Sequence, residues 1–148
     1  MNKLLFVCTG NYYRSRYAEA YMKHLSGLLK LGVDCESSGF EIEKADYLSE
    51  LYGEISPFTK DRAEVNQIYK HCSETRRRFS VSSIHNYDKI IIMDEEEHSK
   101  YLNNFNLDNN LFVFWSIKDI DKWTPSKTLS SIEEQCQLLA SEIWNGKF

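Results

Sequence analysis

Apolar residues along the chain fall into two patterns: short unbroken runs, and positions that recur every three or four residues. Residues 3–7 (K-L-L-F-V), 88–93 (D-K-I-I-I-M) and 111–115 (L-F-V-F-W) are unbroken runs, the mark of strands covered on both faces. Residues 33–37 (V-D-C-E-S) predict one further strand. Ala18, Met22, Leu25 and Leu29 lie on one face of a helix, and Gly32 is placed to end it. Leu129, Ile132, Cys136, Leu139 and Ile143 alternate spacings of three and four and predict a last helix, with Ser130 and Glu133 as a capping box near its start. The acidic, helix-friendly residues 94–102 lie between two of the strands. Leu48, Leu51, Tyr52 and Ile55 sit at helical spacing interrupted by Gly53, which predicts a short extra helix over one end of the sheet. Strands alternating with helices give an α/β domain with a mostly parallel sheet.

Composition narrows the class. A chain of 148 residues suits one domain spanning 1–148, and at this length it folds without disulfides or metals. Hydrophobic residues at 42% and charged residues at 27% exclude a disordered tail, a collagen-like rod and a disulfide-dense mini-protein. With 18 Lys+Arg against 22 Asp+Glu the net charge is −4. A nucleic-acid partner is therefore not expected. No stretch approaches the roughly 20 apolar residues of a membrane span. The N-terminal run is too short for a signal sequence, so a cytoplasmic protein with no membrane partner is expected. Cys8, Cys35, Cys72 and Cys136 show neither a C-x-x-C pair nor metal-ligand spacing and are expected to be free thiols.

The candidate chemistry lies after the first strand, where α/β sheets bind ligands. Val7 to Ser15 reads V-C-T-G-N-Y-Y-R-S. Cys8 ends the strand, and Arg14 stands six residues on, where the helix begins. Backbone N–H groups of a tight loop through Thr9, Gly10, Asn11, Tyr12 and Tyr13 form an anion nest. The helix N-terminus adds partial positive charge, and Arg14 adds a planar fork suited to two phosphate oxygens. Gly10 and Asn11 tolerate the positive φ that such a loop needs. A thiol in such a field ionises readily and becomes a strong nucleophile. Ser15 can present its hydroxyl to it from the first helical turn.

The segment V-C-T-G-N-Y-Y-R-S-R-Y-A-E-A resembles the signature of the low-molecular-weight protein tyrosine phosphatases, and the order of elements is similar over nearly the whole chain. The resemblance implies a single three-layer domain with a four-stranded parallel sheet flanked by helices. It places Cys8 on the family's nucleophile, Arg14 on its phosphate-binding arginine, Asn11 and Ser15 on its loop-supporting pair, and Ser37 on a serine that braces the asparagine. Tyr87 to Asp94 resembles the family's central strand and following turn. The sequence also departs from the pattern. Tyr13 stands where a second cysteine is common, Tyr12 where a small apolar residue is common, and Arg16 where a proline follows. Glu74 falls near the place of a histidine that completes the loop's hydrogen bonds. Residues 41–60 are longer than the family's equivalent, where one wall of the cleft is built.

A phosphate ester's leaving group needs a proton and the phosphoenzyme then needs a base, roles that one carboxyl can fill. The family's acid is an Asp-Pro pair after the last strand. Here W-S-I-K-D-I-D-K-W follows, so Asp119 takes the place by position, with Ile120 for the proline and Asp121 as the alternative acid. Tyr12, Tyr13 and Tyr47 are candidate walls for a phenyl ring, and Trp115 and Trp123 pack the acid loop. Arg76, Arg77 and Arg78 read as a solvated face, with Arg77 a candidate brace for a neighbouring loop. Asp94 to Glu97 read as an exposed helix start, and His24, His71, His85 and His98 as structural or surface residues. Cys35, Cys72 and Cys136 read as core. The reading is a cysteine-dependent phosphomonoesterase acting without cofactor or metal on phosphorylated protein or a small aryl phosphate. The alternatives are a phosphopeptide- or anion-binding module with little turnover, and an arsenate reductase on the same scaffold.

Overall fold

The structure, a computed structural model, describes residues 3–105 and 110–147. Met1, Asn2 and Phe148 of the expected 1–148 domain lie outside the described residues. Strands β1 (Lys3–Cys8), β2 (Asp34–Gly39), β3 (Lys89–Ile92) and β4 (Phe112–Phe114) form a sheet of order β2-β1-β3-β4, parallel throughout. The unbroken apolar run of β1 follows from its central place. Leu4, Phe6 and Cys8 face one cluster, together with helices α1 (Arg14–Leu29) and α5 (Pro125–Trp144). Leu5 and Val7 face the other, with Ile90, Ile92, Leu102 and Phe112. The expected four-stranded α/β sandwich is the one observed.

Both long helices begin about a turn before their apolar period does. Helix α5 starts at Pro125, with Thr124 as its cap: Thr124 Oγ1 accepts the Lys127 N–H at 3.3 Å. The expected Ser130–Glu133 cap is therefore absent. Those side chains lie inside the helix, where Glu133 receives Arg62 through two 2.9 Å bonds and Ser130 accepts one more from Arg62. Helix α1 ends at Leu29 because Lys30 turns left-handed (φ 53°), two residues before Gly32. Leu29 itself is partly exposed rather than core.

The segment after β2 forms a 3-10 turn (Ile42–Ala45), α2 (Asp46–Tyr52) and α3 (Pro57–Val65). The expected extra helix is present as α2, but Leu51 and Tyr52 point to solvent, while Leu48 packs on the core and Ile55 is buried beyond the helix end. The acidic stretch after β3 forms α4 (Glu95–His98) and a 3-10 turn (Ser99–Tyr101). It is not a wholly exposed face: Asp94 and His98 are buried.

Parallel strands deliver their carboxyl ends to one edge. The chain leaving β1 (Cys8–Tyr13), β3 (Asp94–His98) and β4 (Trp115–Asp119) meets there, and Gly39 at the end of β2 sets how closely. A Cβ on Gly39 would lie 2.5 Å from the Thr9 carbonyl oxygen and 2.7 Å from the Asn11 nitrogen. Gly39→Ala is therefore expected to displace the loop and to cost about 1–3 kcal/mol of stability. Chemical denaturation of the variant measures the cost; an unchanged midpoint would mean that the approach is looser than it looks.

Candidate active site

The loop after β1 turns every one of its carbonyls outward. The oxygens of Cys8, Thr9 and Tyr12 accept the N–H groups of Phe40, Glu41 and Ser56 at 3.0, 2.9 and 2.9 Å. The Tyr13 oxygen accepts the Thr59 hydroxyl at 2.9 Å and the Tyr17 N–H at 3.2 Å. Gly10 and Asn11 are reached by buried guanidinium groups, Arg76 at 3.4 Å and Arg16 at 3.3 Å. A peptide unit whose oxygen points out points its N–H in. Among the described residues the N–H groups of residues 9–13 have no partner in the protein. They face the start of α1, whose N-cap, Tyr13, gives no side-chain cap. The result is a ring of free donors at a helix N-terminus, which suits a tetrahedral anion.

Asn11 holds the ring in shape. It takes the left-handed conformation (φ 48°), which asparagine tolerates. The expectation that Gly10 supplies positive φ fails; its lack of a side chain serves contact instead, because a Cβ would come within 2.8 Å of Ala45 Cβ. The Asn11 side-chain oxygen accepts the Arg77 N–H at 2.8 Å, which fixes its amide orientation. Its nitrogen then donates to Ser15 Oγ at 2.8 Å and Ser37 Oγ at 3.0 Å. The Ser37 hydroxyl donates in turn to buried Glu19 at 2.5 Å. Ser15 Oγ, already an acceptor from Asn11, also accepts the Cys8 thiol, whose Sγ stands 3.0 Å away. Asn11, Ser15, Ser37 and Cys8 are thus brought together as expected. Near Glu74, the place of the histidine that would complete the loop's bonds, it is the Arg77 N–H that reaches Asn11, and Arg76, expected in solvent, is mostly buried.

Arg14 is buried, and its guanidinium faces three groups. Nη1 donates to Glu97 Oε1 and the Ile117 carbonyl, both at 2.9 Å, and Nη2 donates to Glu97 Oε2 at 2.8 Å. Asp119 Oδ2 stands 3.4 Å from Nη2. Burial opposes the charge on Arg14, but the Glu97 bond and the Cys8, Asp119 and Glu97 charges hold it firmly protonated. Burial likewise opposes the Glu97 carboxylate, yet hydrogen bonds from His98 and Arg14 keep it well below the usual carboxylate range.

Asp119 is the aspartate the fold brings to the site. Its Oδ1 accepts the Ile120 N–H at 2.8 Å, leaving Oδ2 for the arginine, and its carbonyl accepts Lys122 and Trp123 N–H at 3.0 Å. A proline after Asp119 would remove the Ile120 donor, so Ile120 orients the carboxylate. The adjoining Lys118 reaches buried Asp94 at 3.0 Å, and its carbonyl accepts Thr128 Oγ1 at 2.9 Å. Asp121 is exposed and makes no such approach. Tyr12 and Tyr13 are not open walls, because both rings are buried. The Tyr12 hydroxyl donates to the Leu48 carbonyl at 3.3 Å, and Tyr13 packs on Phe58. Tyr47 is exposed.

Two site residues escaped the sequence reading. Glu97 looked like one of four equivalent carboxylates, although its place just past the end of β3 was a usable signal. His98 bonds both Thr9 Oγ1 (3.0 Å) and Glu97 (3.1 Å). A cavity of about 820 Å³ is lined by residues that include Arg16, Tyr52, Ile55 and Cys72, but not Cys8, Arg14 or Asp119. No group of residues suited to a metal ion occurs among the described residues. No described helix is long and apolar enough to cross a membrane.

Residues 3–145 match the family described as low molecular weight phosphotyrosine protein phosphatase. The chain belongs to that family and is a cysteine-based phosphatase. Its fold is similar to that of YfkJ from Bacillus subtilis (TM-score 0.80, 20% identity, covering 100% of this chain and 98% of that one). It is also similar to the tyrosine phosphatase SP-PTP of Streptococcus pyogenes (0.73, 23%, 96% and 93%). A third similar structure is Vibrio vulnificus Wzb, solved with benzylphosphonate (0.75, 19%, 95% and 98%). No curated protein matches the chain significantly.

Burial pushes the other thiols up, Cys35 to about 12 and Cys72 to about 11, and Cys136 well above its ordinary value. These three stay protonated at neutral pH. Iodoacetate at pH 7.5 is therefore expected to label Cys8 alone, read by peptide mass spectrometry, and inorganic phosphate is expected to protect it. Equal labelling of Cys72 would contradict this assignment.

Proposed function

We propose that the protein hydrolyses aryl phosphate monoesters, protein phosphotyrosine above all, through a cysteinyl-phosphate intermediate. The observation that carries this reading is the ring of inward N–H groups around Cys8, with Arg14 and Asp119 on its rim. The phosphoryl group sits in the ring, its non-bridging oxygens on the N–H groups and Arg14. Cys8 Sγ attacks phosphorus from below, in line with the leaving oxygen. Asp119, at the open side, gives its proton to the departing phenolate. The Asp119 carboxylate then takes a proton from water, water attacks phosphorus, and Cys8 leaves as a thiolate that accepts the Ser15 hydroxyl. Charge on the phosphoryl oxygens is met by Arg14 and amide donors throughout. The benzylphosphonate bound to Wzb, an aryl-methyl phosphonate on a similar fold, agrees with an aromatic leaving group. The setting for this activity is the cytoplasm, with no nucleic-acid or membrane partner.

Cys8→Ser is expected to lower p-nitrophenyl phosphate turnover by several orders of magnitude while retaining phosphate binding, because the ring and Arg14 persist. Turnover within tenfold of the parent would rule out the covalent route.

Asp119→Asn is expected to reduce kcat on a phosphotyrosine peptide by about 10²-fold or more, and to remove the limb of the pH profile that reports the protonated carboxyl. The loss on p-nitrophenyl phosphate, whose phenolate leaves without a proton, is expected to be much smaller. Asp121→Asn is expected to leave both substrates nearly unchanged. The same split appearing in Asp121→Asn instead would reverse the assignment.

A further inference from the structure

Arg14 has five N–H bonds to place. Glu97 takes two of them end-on, one from Nη1 and one from Nη2. The Ile117 carbonyl takes the second hydrogen of Nη1. The hydrogens that remain are Nε–H and the outer one on Nη2, which lie side by side in one plane. That edge is a fork for two phosphate oxygens, and the nearby Asp119 Oδ2 marks the side of the site it faces.

The carboxylate that makes this selection is itself held from two more directions. Thr9, the first residue of the donor ring, gives its hydroxyl to Glu97 Oε2 at 2.6 Å. His98 Nδ1 accepts the Asp94 N–H at 3.2 Å, so the imidazole hydrogen sits on Nε2, toward Thr9 and Glu97. The chain leaving β3 therefore grips both the nucleophile loop and the arginine of α1. Lysine could not be gripped in this way, since it has no plane to fix.

We propose that Glu97 is a positioning residue, fixing the plane and the free edge of the Arg14 guanidinium so that Nε and Nη2 meet the oxygens of the transferring phosphoryl group. This rests on the phosphatase reading above. Because the grip sets orientation rather than attraction, its effect falls mainly on kcat and on tightly oriented oxyanions. Removal of the Glu97 charge alone would strengthen anion binding, so weaker binding after its loss is a signature of orientation.

The test compares the full-length parent with Glu97→Gln. Turnover of p-nitrophenyl phosphate by the parent is measured first; its absence would count against the phosphatase reading and leave the grip to be judged by binding. Tungstate affinity by calorimetry needs no turnover. Glu97→Gln is expected to weaken tungstate by about tenfold or more, and to lower kcat by a similar factor with KM within about threefold. Tungstate binding that is unchanged or tighter would overturn the proposal. The Arg14 side-chain ¹⁵N resonances give a second readout: separate, slowly exchanging Nη protons in the ligand-free parent, averaged in Glu97→Gln. If the variant fails to fold, the parent spectrum decides, since averaged Nη protons there would show that nothing holds the guanidinium.

Discussion

Six successive carbonyl groups, from Cys8 to Tyr13, are tied to the surrounding protein, and the rest of the site depends on that one constraint. Each such bond is worth only about 0.5–1.5 kcal/mol net, but together they allow one loop conformation. The partners come from the chain after β2, from the start of α3, from α1 itself and from Arg76. The inward N–H groups thus need no ligand to be organised. Asn11 transmits the same constraint to the nucleophile, since its fixed amide holds the Ser15 oxygen that meets Cys8 Sγ.

The charges on the rim are more closely balanced than an anion site requires. Arg14 faces Glu97 and Asp119 together, so the positive end of the site is made by the amide dipoles and the helix N-terminus as well as by the guanidinium. The carboxylate loop is rigid for reasons outside the site: the Asp94–Lys118 pair, the Thr128 hydroxyl on the Lys118 carbonyl, and the Ile117 N–H on the Met93 carbonyl at 2.8 Å. Replacement of the family's proline by Ile120 therefore leaves Asp119 oriented, through a donor that proline lacks.

Residues legible in the sequence share a property: they sit in one contiguous segment or follow a strand at a set distance. Cys8, Asn11, Arg14 and Ser15 are read from a single loop, and the continuous apolar runs of β1 and β3 announce burial on both faces. Ser37 was legible through family resemblance, not through its own surroundings. What escaped depends on convergence. Glu97 and His98 are far from the loop in sequence and meet it only because parallel strands end at one edge, and Arg76, read as solvated, is turned in by the fold; Arg77, read as a candidate brace, reaches Asn11 through its backbone N–H. A run of four acidic residues does not by composition show which one turns inward; only its place after β3 marks the segment as near the site. The start of α5 was read late for a related reason: the apolar period records contact with the sheet, and a helix exists before it touches.

Arg16 carries a consequence for how this sequence can change. Its buried guanidinium donates to the carbonyls of Asn11 and Glu54 at 3.3 and 2.9 Å, and to that of Ser73, while Nε remains without a partner. All three acceptors are backbone atoms, so the arginine recognises the course of the chain rather than its side chains. The residue at position 54 is free to drift, its own side chain making only a 3.6 Å ion pair with Arg76. An insertion or deletion between 54 and 73 is not free in this way, because it would shift a carbonyl away from a cation that those carbonyls hold. The Arg16 guanidinium thus ties the fold to the length of that stretch more than to its side chains.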